Sequence, residues 1–510
     1  MAGAKKIDYK FILSVLGFSL TPILSCLLLC LRTCHTLDLT NIFIANSTWN
    51  DEIFYYKMIE GMAKYNMPLG YFGYNGSTAN IGTLGPWNFV IMLMHVVYAK
   101  IFGWSLLSPI YCNILLMTIS MVIFAILVRP SLSQALFICL LYCSHTFMTR
   151  YVLSGMMETP VYALTIIFLG ISIKMYRNLY DVKIRYVVIM NVILFLLFQM
   201  RPYFLILMVL PGYFLYKKHH KKSVVLLEIA WVLFSCGMAV FISRNFCSAY
   251  TESMIKLSWL KILFDSPIYG VYNIIIIFVS AIQQIWESFW ETNIYGLPMG
   301  GIYFIYFIAI AYFLCVILLN KDNKERRRWL SWWLFYFCVM LLAIIYLANI
   351  GNGVRYSAAF ILIFIFIFSL EVKSVKGYIL ALAAFVWAFG IKEADSCIYS
   401  LPMYTYEKEA MLEKGRNDMM KVDFCDLAAD TPWDNTIIWP ITVDYTYLYA
   451  IPEGAGIELY TKEINMEDFA GLQSKYILTS IGSEIDLLCE QGGKEMITEY
   501  GNAHIWKLRE

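Results

Sequence analysis

Apolar residues fill this chain in long, nearly unbroken runs separated by short polar breaks. A helix of about 20 apolar residues crosses a bilayer. Runs that reach or approach this length fall at about 11–31, 107–128, 131–149, 159–176, 186–201, 202–217, 223–243, 300–319, 329–348, 357–371 and 377–391. Two more, 88–103 and 268–286, are ambiguous. The pattern predicts an α-helical polytopic membrane protein with about 11–13 transmembrane helices. Beyond residue 392 the period changes. "NTIIWPI", "GIELY", "SKYILTS" and "AHIWKL" predict short strands, and "EIDLLCEQGGKEMITEYG" predicts a helix ending near Gly492 and then a strand. A transmembrane domain over 1–391 followed by a small α/β domain over 392–510 is therefore expected.

Composition agrees with this reading. Of 510 residues, 60% are hydrophobic and 15% charged, against roughly 45–50% and 25% in a soluble domain. The net charge of +2 hides an asymmetry: residues 392–510 hold 22 acidic and 10 basic side chains, and the rest hold 15 and 29. The basic residues gather in short loops at 174–185, 217–222, 321–328 and 371–376, which the positive-inside rule assigns to the cytoplasm. If 88–103 and 268–286 both crossed, the first two of these loops would land outside. Reading both as non-crossing helices at the outer surface satisfies every basic loop. It gives 11 spans, a cytoplasmic N-terminus on an uncleaved signal anchor, and an outer C-terminal domain. The expected location is the plasma membrane, multi-pass, and the lysine-rich loops suggest a bacterial one.

Topology decides where the chemistry lies. Asp51 and Glu52, in "STWNDEIFYYKMIEGM", follow the first span, and a carboxylate near lipid is costly enough to need a reason. They open a segment with apolar spacing suited to a helix on the membrane surface, inside a first outer loop of about 32–106. Pro86 can start the helix that follows. Glu158 in "SGMMETPVY" stands at the start of a span, Arg201 in "FQMRPYF" between two apolar segments, and Arg355 and Tyr356 in "NIGNGVRYSAAF" after a Gly/Asn turn. All of them fall on the outer side in this topology. Each also has a plainer reading: an acid at a helix N-terminus, a snorkelling arginine, or an interfacial anchor. The planar guanidinium of Arg201 or Arg355 suits a phosphate or carboxylate. The 13 cysteines include Cys26, Cys30, Cys139 and Cys143 in apolar helices and form no CxxC pair, so they read as small packing residues. The histidines form no HxxxH or HExxH pattern and read as structural or loop residues, and no P-loop or GxGxxG exists, so no ATP or dinucleotide is indicated. There is no nucleic-acid footprint.

"NDEIFYY", "LGPWNFVIMLMHVVYAKIFG", "SGMMETPVY", "RPYF" and "GVRY" together resemble the GT-C superfamily of integral-membrane glycosyltransferases. Its members include protein O-mannosyltransferases, aminoarabinose transferases and arabinofuranosyltransferases. The resemblance covers about 1–390 and implies a hexosyl- or pentosyltransferase with a polyprenyl-phosphate sugar donor and, usually, inversion. It implies Asp51 as general base with Glu52 as its neighbour. Glu158 takes a second acidic position, where some members bind acceptor or a divalent metal and many carry Asp. Arg201, Arg355 and Tyr356 would hold the lipid phosphate. The acceptor would be a glycan, a lipid or a protein. Two other readings compete: a transporter or flippase of lipid-linked glycans, and a polysaccharide polymerase or ligase.

Overall fold

The computed structural model describes residues 8–66, 71–76, 80–81, 89–179, 181–247, 258–291, 298–319, 323–372, 374–393, 399–419, 432–462 and 464–509. Pro86 lies outside them. Among the described residues, nine helices are long and apolar enough to cross a membrane, or ten if the bent pair Leu132–Ser144 and Thr146–Val152 (74° apart) counts as one span.

Side-chain contacts sort the helix ends into two groups. At one end the basic loops meet. Arg177 donates to the Val128 carbonyl (2.6 Å) and Lys218 to the Val182 carbonyl (2.6 Å). Lys217 pairs with Glu325 (3.4 Å) and Arg326 with Glu371 (2.7 Å). At the other end Arg32 donates to the Phe389 carbonyl (2.9 Å), and the Phe89 ring packs on Phe246 (5.4 Å). The helix Glu158–Arg177 joins the two ends. Its 20 residues span about 30 Å, the thickness of a hydrocarbon core.

Tyr9–Cys34 starts at the basic end, where Arg129 lies over the Phe11 ring (5.1 Å), and Val375–Lys392 finishes at the other. Two runs are short. Ile184–Met200 has 17 residues, and 202–217 is a 3-10 segment, Pro202–Met208, followed by the α-helix Val209–His219. Pro202 explains the break, since proline cannot continue the preceding helix.

Both ambiguous stretches lie along the end away from the basic loops. Phe89–Phe102 is too short to cross, and Trp104, just beyond it, donates to the Tyr56 carbonyl (3.2 Å). Pro267–Trp290 is long enough to cross, and carbonyls within it and just beyond it meet side chains from that end. Tyr346, closing Lys324–Leu347, donates to the Ile274 carbonyl (3.2 Å), while Lys392 reaches the Glu291 carbonyl.

The C-terminal region forms strands where alternation predicts them. With two strands from the first loop they make one sheet of seven: β1 Tyr71–Tyr74, β2 Asn80–Ile81, β3 Thr436–Pro440, β4 Gly456–Tyr460, β5 Tyr476–Ser480, β6 Glu495–Tyr500 and β7 Ala503–Lys507, in the order β2-β1-β4-β3-β5-β7-β6. Central β3 is buried throughout and pairs in parallel with β4 and β5, as expected of a strand covered on both faces. Parallel pairing of β1 with β4 ties the first loop to the C-terminal region. The helix Asp51–Tyr65 forms as its apolar spacing predicts. It is buried nearly all round, because Trp439 packs on Phe54 (5.5 Å) and Tyr449 on Tyr56 (5.1 Å) from the C-terminal side. It is therefore sandwiched between bundle and sheet rather than laid open on a membrane surface.

Candidate active site

Four charged side chains from four separate elements meet at the end opposite the basic loops. Glu158 opens its helix and is 3% exposed. One of its oxygens, Oε1, accepts from Arg201 Nη2 (2.8 Å) and from Arg355 Nη2 (2.8 Å) and Nε (3.2 Å). Arg355 Nη1 stands 3.6 Å from Asp51 Oδ2. Asp51 is half-exposed and the Arg355 side chain is 30% exposed, so these two form the open edge of the cluster and Glu158 with Arg201 its floor.

Local sequence explains each placement. Asp51 begins Asp51–Tyr65 after Asn50, where an acid favours the positive end of the helix. Arg201 caps Ile184–Met200 in an extended conformation (φ −146°, ψ 110°), as a residue before proline must. Its guanidinium points into the bundle, where the Glu158 carboxylate accepts from it (2.8 Å). Arg355 lies one turn into Ile350–Glu371. A Cβ on Gly353 would come within 2.3 Å of Ile344 Cγ2 and 2.7 Å of Tyr303 Oη, so only glycine lets this helix approach its neighbours so closely.

The turn before Glu158 is held by buried polar groups. Asn113 donates to the Val152 carbonyl (3.1 Å) and the Ser154 carbonyl (2.9 Å), and its own oxygen meets His95 Nε2 (2.9 Å). Burial lowers the His95 pKa to about 4 against the opposing effect of the Asn113 hydrogen bond, so the imidazole stays neutral and structural.

Glu52 faces elsewhere. It is fully buried, and among the described residues both its oxygens lack a hydrogen bond of ordinary geometry. A Cβ on Gly155 would stand 3.3 Å from its Cβ, so the Glu158 turn presses directly on it. Burial raises its pKa to about 7; the charge of Arg150 and the Ser47 hydroxyl and Gly155 N–H restrain the rise. Arg150 donates to the Ser400 carbonyl (3.0 Å) and lies 4.0 Å over the Trp49 ring.

Of the residues singled out in the sequence, the structure brings Asp51, Glu158, Arg201 and Arg355 together. Glu52 sits in a separate pocket, and the Tyr356 ring packs near Tyr203 (5.6 Å). Sequence reasoning passed over Tyr55, whose hydroxyl feels the charges of Asp51, Arg201, Glu158 and Arg355 and whose pKa is raised chiefly by burial. Its spacing of four from Asp51, one helical turn, was the available signal. Among the described residues, no group of three or more His, Cys, Asp or Glu is placed to hold a metal ion.

No family model matches the sequence, and no curated protein matches it. Solved structures do. The archaeal oligosaccharyltransferase AglB from Archaeoglobus fulgidus, in complex with an inhibitory peptide and a dolichol-phosphate, superposes over 93% of this chain and 70% of its own at TM-score 0.50 and 11% identity. ArnT from Cupriavidus metallidurans bound to undecaprenyl phosphate covers 99% of each chain at TM-score 0.44 and 9% identity. Its apo form covers 97% of this chain and 98% of its own at 0.43 and 10%. The likeness is one of fold.

Proposed function

We propose that this chain is a glycosyltransferase that moves a hexose or pentose from a polyprenyl-phosphate donor to a hydroxyl of a glycan, lipid or protein acceptor, with inversion. One observation carries the reading: the half-exposed Asp51 carboxylate stands beside Arg355, whose far side is fixed by buried Glu158. That edge offers a base and a cation in adjacent positions. Asp51 takes the proton of the acceptor hydroxyl, within hydrogen-bond reach or through one water. The acceptor oxygen bonds to the anomeric carbon, and the bond from that carbon to the phosphate oxygen breaks on the opposite face. The electron pair leaves with the lipid phosphate, where Arg355, backed by Arg201, meets the charge as it develops. Glu158 fills the second acidic position by orienting both guanidiniums. The dolichol-phosphate in the AglB structure supports a lipid-phosphate donor, since the two chains share a fold.

The division into a catalytic membrane domain, 1–391, and an extracytoplasmic domain, 392–510, belongs to the same proposal. The basic loops lie about 30 Å from Glu158, and the positive-inside rule then puts the site on the outer face of the plasma membrane with the N-terminus in the cytoplasm.

The test is transfer from a panel of labelled polyprenyl-phosphate sugars by the purified protein in nanodiscs. Wild type uses at least one donor, and Asp51→Asn lowers transfer by about 10²–10⁴-fold while keeping the folded elution profile. Retained transfer in Asp51→Asn removes the base assignment. A wild-type protein that transfers nothing but moves a lipid-linked glycan across proteoliposomes is a transporter, and the proposal fails.

A further inference from the structure

A second opening lies on the far side of the Asp51–Tyr65 helix. Asp51 and Glu60 are nine residues apart, which at 100° per residue puts them on opposite faces. Tyr56 and Glu60 on that far face border a cavity of about 530 Å³, closed by Trp104, Tyr404, Glu409, Arg416 and Glu453. Small-molecule sites commonly measure roughly 300–1,000 Å³. The first loop, the turn before Ser108–Val128 and the C-terminal region each supply a wall.

The lining combines rings with charged hydrogen-bonding groups. Trp104 is fixed by its N–H bond to the Tyr56 carbonyl (3.2 Å) and by the Tyr56 ring 5.5 Å away. Tyr404 is 39% exposed, with its ring edge-on to Phe43 (5.8 Å) and its hydroxyl bonded to Glu409. Rings fixed in this way present apolar area at little entropic cost. The acids do not leave a field of one sign. Glu60 is paired with Lys57, which also donates to the Ile451 carbonyl (2.7 Å), and Glu453 with Lys64 (3.1 Å). Arg416 is exposed and makes no ion pair among the described residues. Two of the three lining carboxylates are thus paired with lysines behind the lining, and Glu409 shares the cleft with Arg416.

We propose that this cleft binds a short neutral oligosaccharide at a site distinct from the Asp51 cluster. A hydroxyl-rich, uncharged ligand uses both halves of the lining: its C–H faces lie on the rings, and its hydroxyls donate to Glu409 and accept from Arg416. An anionic glycan would face the three lining carboxylates, and a cationic one would meet Arg416 and two acids that already hold lysines, each at a desolvation cost. The site does not depend on the transfer reading, because it is defined by binding alone.

The test uses the full chain in phosphatidylcholine nanodiscs, free of glycoside detergent. Saturation-transfer NMR and tryptophan fluorescence read the binding of mannotriose, chitotriose and maltotriose as neutral probes, trigalacturonate as an anionic one and chitosan trimer as a cationic one. At least one neutral trisaccharide should bind. Tyr404→Ala and Glu409→Gln should each weaken it about tenfold, and Asp51→Asn should leave it unchanged. Ser105→Trp at the exposed mouth blocks entry at the cost of one hydroxyl bond to Ser108 (3.1 Å), and serves if the other variants fail to fold. The inference is overturned if no neutral trisaccharide binds, if only a charged probe binds, or if Asp51→Asn abolishes binding while Ser105→Trp does not.

Discussion

Replacing Glu158 by glutamine removes one charge and almost no volume, so its effect isolates electrostatics. One carboxylate oxygen holds three N–H donors from two guanidiniums, at 2.8, 2.8 and 3.2 Å, with Glu158 and Arg201 both within 4% of full burial. Glutamine keeps an acceptor oxygen, but two cations that cannot lose their protons then face each other across a neutral amide. Arg355 retains half-exposed Asp51 at 3.6 Å; Arg201 keeps its charge in a dry setting with its Glu158 ion pair gone. Removing one partner of a buried ion pair costs about 3–5 kcal/mol, because the survivor stays charged. Thermal unfolding in phosphatidylcholine nanodiscs reads this for Glu158→Gln, Arg201→Met and the double variant. Each single variant should be strongly destabilised. The double should lose less than the two together, leaving a coupling of about 1–3 kcal/mol. Additivity within about 0.5 kcal/mol, or wild-type stability of Glu158→Gln, would refute the claim that this carboxylate organises the site.

Two further perturbations act on other buried acids. Glu52 rises from an ordinary 4.5 to about 7 on folding, so the unfolded chain ionises first as pH increases. Stability from this group is full below pH 4.5 and is lost by about 3 kcal/mol as pH climbs to 7. Glu52→Gln should lack that loss, seen as a difference between wild-type and variant unfolding midpoints across pH 4.5–7; parallel curves would contradict it. In the C-terminal region, Asp486 accepts from Thr479 Oγ1 (2.7 Å), the Gly482 N–H (2.9 Å) and Trp506 Nε1 (2.7 Å), and meets His504 Nδ1 (2.9 Å). Burial pushes its pKa up, but these hydrogen bonds outweigh burial and hold it below the usual 3.8. Its contribution is therefore present above pH 3.8 and fades as pH falls through the lower folded value. Asp486→Asn should cost about 1–3 kcal/mol and speed proteolysis within 464–509; an unchanged digestion rate at neutral pH would rule this out.

The charged members of the site were legible because a charge in an apolar chain stands out. Asp51, Glu158, Arg201 and Arg355 each interrupt or border a hydrophobic run, and the basic loops fixed on which side of the bundle they should meet. What surrounds them was not legible. Arg150 reaches the electrostatic environment of Glu52 across 98 positions, and no spacing rule links them. β3 to β7 showed in local alternation, but the parallel pairing of β1 with β4 joins Gly73 to Glu458, and a parallel partner leaves no mark in either strand. The burial of the Asp51–Tyr65 helix on nearly every face was hidden for the same reason. Lys57 looks like part of a wet face until the Ile451 carbonyl takes its ammonium and Trp439 and Tyr449 pack on Phe54 and Tyr56 beside it.

The charge balance of the cluster limits what it can do. Asp51 and Glu158 offset Arg201 and Arg355, so the empty site is formally neutral and can be assembled near lipid without a net buried charge. The two members with little exposure, Glu158 and Arg201, cannot meet a reactant of any size. Chemistry is confined to the edge where Asp51 and Arg355 face outward. An incoming phosphate must compete with Glu158 for Arg355. Glu158 engages Nε and Nη2, so Nη1, the atom turned toward Asp51, is the donor left for the phosphate. The base and the cation that stabilises the leaving group are then neighbours on one guanidinium edge. In the proposed transfer, a phosphate bound there shares with Asp51 the guanidinium edge that Glu158 leaves open.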